Sequence, residues 1–247
     1  MFPIVHYYAN GYIFSRVSPL MALGGLFPDL ASGMGVQRDA AHQMGDGLYR
    51  YCLSQRPQAL DFARGVLSHG INPHGMDHYA DESWPGCQKG WCFEEGKRWM
   101  EPLAKASHLP ENLVWWKSHN FIEIGFELLI DEEQPEIKTK ILNALADRSA
   151  MEQACGVIGD YCGVDPALAE KIFLRTPDIF ALQQTTPFTL AEKQAVAFAL
   201  RHDVKDADVP AMARLLTDIR EDLRPRYHDF LGQALTLVKE NLQAYTG

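Results

Sequence analysis

The sequence predicts an all-α fold, and three observations carry that prediction. Apolar residues recur at helical spacing through most of the chain. Few stretches alternate apolar and polar residues with β-branched enrichment, so strand signals are scarce. Capping residues open periodic segments, as at Thr189 with Glu192 three residues on. About eight to ten helices are expected, forming a single multi-helix domain with a metal site between helices.

The elements follow in chain order. "PIVHYYANGYIF" is an apolar helix that carries His6. "LGGLFPDLASG" is an apolar stretch that ends in a turn, with Asp29 after Phe27-Pro28. An aspartate there is either the cap of the next helix or a metal-bridging carboxylate. "DAAHQMGDG" places His42 and Asp46 four apart on a third helix. "QALDFARGVLSHG" puts Leu60, Ala63 and Val66 or Leu67 on one face and ends at His69. Residues 80–101 are rich in Gly, Trp and acids and are expected to form a long ordered loop. "LVWWKSHNFIEIGFELLIDEE" is a long helix. "TLAEKQAVAFALRHD", "VPAMARLLTDIREDL" and "RYHDFLGQALTLVKENLQAY" supply three more. Residues 1–132 hold seven of the nine histidines and all five tryptophans. They are expected to form the metal-binding core. Residues 133–247 are expected to pack on it as support, in one compact domain joined near "DEEQPEIK".

Composition narrows the function classes. The 247 residues are 47% hydrophobic, enough for a sizeable core. Lys and Arg number 23 against 32 Asp and Glu, for a formal charge of −9. No basic stripe is present, which argues against a nucleic-acid partner. No apolar run reaches the ~18 residues of a membrane span. The N-terminus lacks the basic start and cleavage site of a signal peptide, so a cytoplasmic protein is expected. The five cysteines lack zinc-ribbon spacing. Reduced thiols are the expected state, with Cys87 and Cys92 near enough in sequence to suggest a clip. No nucleophile elbow, phosphate loop or dinucleotide fingerprint occurs.

What remains is histidine and carboxylate chemistry. His119 and Glu123 are four apart on a helix, one turn apart on the same face, where imidazole and carboxylate can share an ion. Glu127 continues that line. "LSHGINPHGMDH" sets His69, Asn72, His74, Asp77 and His78 at a broken helix end that can wrap around an ion. His108, His202-Asp203 and the tryptophans at 84, 91, 99, 115 and 116 read as helix ends, core or rim.

The order of these pieces resembles a known family. His6 in an apolar helix, "LGGLFPDL" ending at Asp29, His42, "GVLSHGINPH" with His69 and His74, and "HNFIE" with His119 and Glu123 together resemble the zinc-dependent phospholipase C family. That family lies within the phospholipase C/P1 nuclease-like superfamily. The likeness spans roughly residues 1–130. It implies an all-α fold holding two or three zinc ions, with iron, manganese or nickel as other occupants of a mixed N/O site. It implies His6, Asp29, His42, His69, His74, His119 and Glu123 as ligands, Asp29 being shared between metals. Where the family carries an aspartate four residues after the middle histidine, this chain has Pro73. Either Asp77 substitutes from the loop or one metal site is altered. The implied activity is hydrolysis of a small phosphomonoester or phosphodiester. Asp77 or Glu127 would orient the water, and His78 or His74 would serve the leaving group. Two alternatives stand beside it: an HD-domain-like phosphohydrolase, and a non-catalytic helical protein that binds a metal or ligand.

Overall fold

A computed structural model describes residues 2–246. Its fold is all-α: fifteen α-helices and no strand among the described residues. The count exceeds the eight to ten expected because short helices fill stretches between the long periodic ones. These are α3 (Arg38–Gln43), α6 (Trp91–Gly96), α7 (Met100–Ser107) and α12 (Thr176–Ile179). Within the expected loop 80–101, only residues 83–90 are non-helical between a π-helical turn (His78–Glu82) and α6. One continuous apolar core runs from Phe2 to Leu242.

The helices that build the site come early. α1 (Pro3–Phe14) and α2 (Pro19–Leu30) both start on proline, whose fixed φ suits the first helical position. Asp29 lies in the last turn of α2, which runs through Pro28. It is therefore not the cap of a following helix. α3 ends at Gln43 and α4 (Gly45–Gln55) begins two residues on, so His42 and Asp46 lie on different helices. Asp46 instead accepts from the Tyr245 hydroxyl at 2.8 Å.

α5 (Leu60–His69) crosses α2 at backbone contact. A Cβ at Gly65 would sit 2.2 Å from the Met21 carbonyl oxygen and 2.6 Å from the Gly25 nitrogen. Only glycine permits that approach, and it brings His69, one turn further along, against α2.

α8 (Glu111–Glu133) is the central helix, and residues 121–131 are all buried. It packs against α1, α6, α7 and α14 (Val209–Leu223). The remaining helices are α9 (Glu136–Ala146), α10 (Arg148–Cys162), α11 (Pro166–Phe173), α13 (Pro187–His202) and α15 (Tyr227–Asn241). α9 and α10 pack on α2, and α13 on α14. The capping box of α13 is not Thr189/Glu192. Thr186 caps the helix and pairs with Thr189, because Pro187 starts the helix three residues earlier than its apolar periodicity suggests.

Candidate metal centre

Two groups of histidine and carboxylate side chains, buried except for half-buried Asp29, meet between these helices. Asp29, His42, His69 and Asp77 form the first, and Asp81, His119 and Glu123 the second. Within each group the ligand atoms lie within 4.8 Å of one another. The groups adjoin because Asp77 and Asp81 are about one turn apart on a single segment.

Asp77 is the hub of the first group. One of its oxygens lies 3.2 Å from His69 Nε2 and 3.3 Å from His42 Nε2, and the other lies 3.6 Å from His6 Nε2. Asp29 stands on the far side of the same two imidazoles, 3.9 Å from each Nε2. The histidine rings are oriented from behind. His42 Nδ1 meets the Arg38 carbonyl at 2.8 Å, and His69 Nδ1 meets the Gly25 carbonyl at 2.7 Å. A carbonyl only accepts, so Nδ1 carries the proton and Nε2 turns its lone pair to the carboxylates, the arrangement metal-bound histidines use. His6 stacks on His69, with centroids 3.5 Å apart and planes 10° apart.

The second group is set by the one-turn spacing of His119 and Glu123. The Asn120 amide nitrogen lies 3.0 Å from both His119 Nε2 and Glu123 Oε2, holding the pair in one orientation. His119 stacks on Phe93 at 4.0 Å, with Trp115 and Trp116 beside them. Arg38 Nη2 reaches to 3.8 Å from Asp81.

Electrostatics follow from burial. Desolvation, reinforced by neighbouring His69, holds His6 well below the usual histidine range. Desolvation also takes His119 down to about 4 against the pull of Glu123. Burial would lower His42 too, but the adjacent Asp77 carboxylate, which favours the protonated ring, prevails and raises it. Burial would raise Asp77, yet the His69 and His42 imidazoles bring it well below the usual carboxylate range. Asp81 is pushed well above that range by burial, then by Glu123 and Asp77. Carboxylates crowded together in a buried place call for a cation.

The residues fit such an ion. His42 Nε2 and His69 Nε2 are buried and face the Asp29 and Asp77 carboxylates. Imidazoles and carboxylates are the donors zinc accepts.

Other candidates lie elsewhere. Glu127 is buried, but its carboxylate accepts from the backbone nitrogens of Ile4 at 3.0 Å and Val5 at 3.2 Å, 123 and 122 residues away. It caps α1 and is not placed to orient a water. Asp131, the next residue in that row, pairs with Lys138 at 2.8 Å. His74 is exposed and stacks on half-buried His78 at 3.6 Å, and neither belongs to a ligand group. Burial lowers His78 to about 4. His202 and Asp203 close α13, and His228 faces Glu133 at 3.1 Å. The His-Asp dipeptides therefore stand outside both groups. All five cysteines are free, Cys87 exposed and Cys92 buried.

Asp81 and Arg38 are the residues the sequence analysis passed over. Asp81 had a signal, since Asp77-x-x-x-Asp81 repeats the one-turn spacing of His119 and Glu123. Arg38 had none beyond standing four residues before His42. No helix is long and apolar enough to cross a membrane among the described residues. Compared with known proteins, the chain matches no family model, no curated sequence and no solved structure.

Proposed function

We propose that the chain is a metal-dependent hydrolase of phosphoric esters, with zinc as the metal, of the kind its likeness to zinc-dependent phospholipase C implies. The observation that supports this reading is the convergence of two adjoining, largely buried, pre-oriented ligand groups on one place. A single structural ion would need only one of them.

Asp29, His42, His69 and Asp77 would hold one ion and Asp81, His119 and Glu123 another, with His6 beside Asp77 for a third. Bound metal supplies polarisation of the phosphoryl oxygens and lowers the pKa of an attacking water. The protein supplies the rest. The Gly25 and Arg38 carbonyls fix the tautomers of His69 and His42, and Asn120 fixes His119 against Glu123. Burial keeps the ligands out of bulk water, where their interactions with an ion would be weaker. α1 brings His6 to the centre because Glu127 anchors its first turn.

The test is metal analysis of the purified protein, with assays on p-nitrophenyl phosphate and bis-(p-nitrophenyl) phosphate in zinc or manganese. Hydrolysis that disappears with a chelator and in Asp77→Asn supports the reading. Metal bound without hydrolysis of either ester refutes it and leaves a metal-binding protein.

A further inference from the structure

The two ligand groups are not equally ready for an ion. In the first, carbonyls behind the rings take the Nδ1 protons of His42 and His69, and both Nε2 lone pairs face carboxylates. In the second, the Asn120 amide bridges the ligands themselves. Its nitrogen lies 3.0 Å from His119 Nε2 and 3.0 Å from Glu123 Oε2. An amide NH2 donates through two hydrogens and accepts through none, so one hydrogen goes to each partner. The carboxylate fixes which end of the amide faces it. Turned over, Asn120 would set its carbonyl oxygen against a carboxylate oxygen, acceptor against acceptor.

His119 therefore accepts at Nε2 and carries its proton on Nδ1, which is buried without a hydrogen-bond partner. The contact that orients the pair thus also uses the lone pairs an ion needs. At Nε2 the lone pair is engaged by Asn120. At Nδ1 an ion could bind only after the proton moved to Nε2, which would then meet the Asn120 N–H, donor against donor. By either route Asn120 has to let go. The bridge is local, reaching one and three residues along α8, so releasing it moves no helix. Asn120 is half-buried, which gives its amide solvent to turn towards.

We infer that Asn120 sets the order of metal loading: it occupies donor atoms of the second group, so the first group fills first and the second fills when the amide turns away. The inference rests on the metal centre of the proposed function and not on ester hydrolysis. It gives Asn120 an effect opposite in sign to that of a supporting residue. Loss of an outer partner that only orients a ligand weakens metal binding by about 10–100-fold. Loss of a side chain that competes with the ion strengthens it. Two hydrogen bonds, one of them to a carboxylate, give way when the second group takes an ion, which predicts a gain of about tenfold or more without them.

The test titrates metal-free protein with zinc against a chromophoric chelator, as wild type, Asn120→Ala and His119→Ala. Wild type is expected to bind zinc in two classes, and loss of the weaker class in His119→Ala assigns it to the second group. Asn120→Ala should tighten that class by about tenfold or more and leave the tighter class unchanged. If wild type holds one ion only, a second ion is expected to appear in Asn120→Ala. A second ion bound by Asn120→Ala no more tightly than by wild type, or equal affinities at the two groups in wild type, overturns the inference. Nitrogen NMR of the histidine rings in metal-free wild type gives a check that needs no variant, and a His119 proton on Nε2 overturns the inference as well. Zinc bound by no form overturns the metal reading together with this one, whereas failure of the hydrolase reading shows only in the ester assays.

Discussion

Glu127 gives the sharpest test of how the centre is held. It is fully buried on α8 and accepts from the Ile4 and Val5 nitrogens at the start of α1, where Phe2 provides no side-chain cap. Replacing it with alanine leaves two buried N–H groups without an acceptor. At about 1–3 kcal/mol for each unsatisfied group, Glu127→Ala is expected to cost about 2–6 kcal/mol. Because α1 carries His6, the loss also loosens that side of the centre. Glu127→Gln keeps an acceptor oxygen and is expected to cost less than about 2 kcal/mol.

The pH dependence separates the two forms of Glu127. Burial raises its pKa from 4.5 to about 8. A carboxyl raised in the folded state holds its proton there while the unfolded chain releases it. Its contribution is therefore full below pH 4.5 and is lost as pH rises through about 8. Across that window the wild type should lose up to about 1.4 kcal/mol per pH unit relative to Glu127→Gln. Urea denaturation of wild type and both variants at pH 5, 6.5 and 8 measures this directly. A Glu127→Ala protein within about 1 kcal/mol of wild type, or a wild-type-minus-Gln difference flat in pH, would refute the reasoning.

Three further outcomes are expected. Asp77→Asn removes the carboxylate that touches three histidines, so zinc affinity should fall at least about 100-fold, beyond the 10–100-fold cost of disturbing outer partners. Competition with a chromophoric chelator reads this, and an unchanged affinity would remove Asp77 from the ligands. Gly65→Ala forces α5 away from α2, at about 3 kcal/mol or more. It should also lower zinc content, because His69 loses the Gly25 carbonyl, and thermal unfolding with metal analysis checks both. Stripping the metal should lower Tm by roughly 5–10 °C when free zinc otherwise stands at about 100 times Kd. Calorimetry with and without chelator shows whether it does.

The sequence by itself determined the fold class. Helical periodicity over residues such as 60–69, 113–133 and 209–223 is a local property, set by which side chains face the core. It also determined most of the chemistry available, because few residue types can hold a metal and here they cluster in the first 132 positions. Asp29, His42, His69, His119 and Glu123 were candidates by type and spacing, and the fold brings them together.

Tertiary structure alone decided the rest. Glu123, Glu127 and Asp131 share one helical row and one spacing, yet face a histidine, the start of α1 and Lys138 respectively. His74 and Asp77 sit three residues apart in one polar stretch, yet one is exposed and the other is the hub of the first ligand group. His42 and Asp46 sit four residues apart, yet one faces Asp77 and the other accepts from the Tyr245 hydroxyl. The physical reason is common to all three. Helix periodicity states which residues share a face, while the element packed against that face, and so the partner each polar group finds, is set by contacts far apart along the chain.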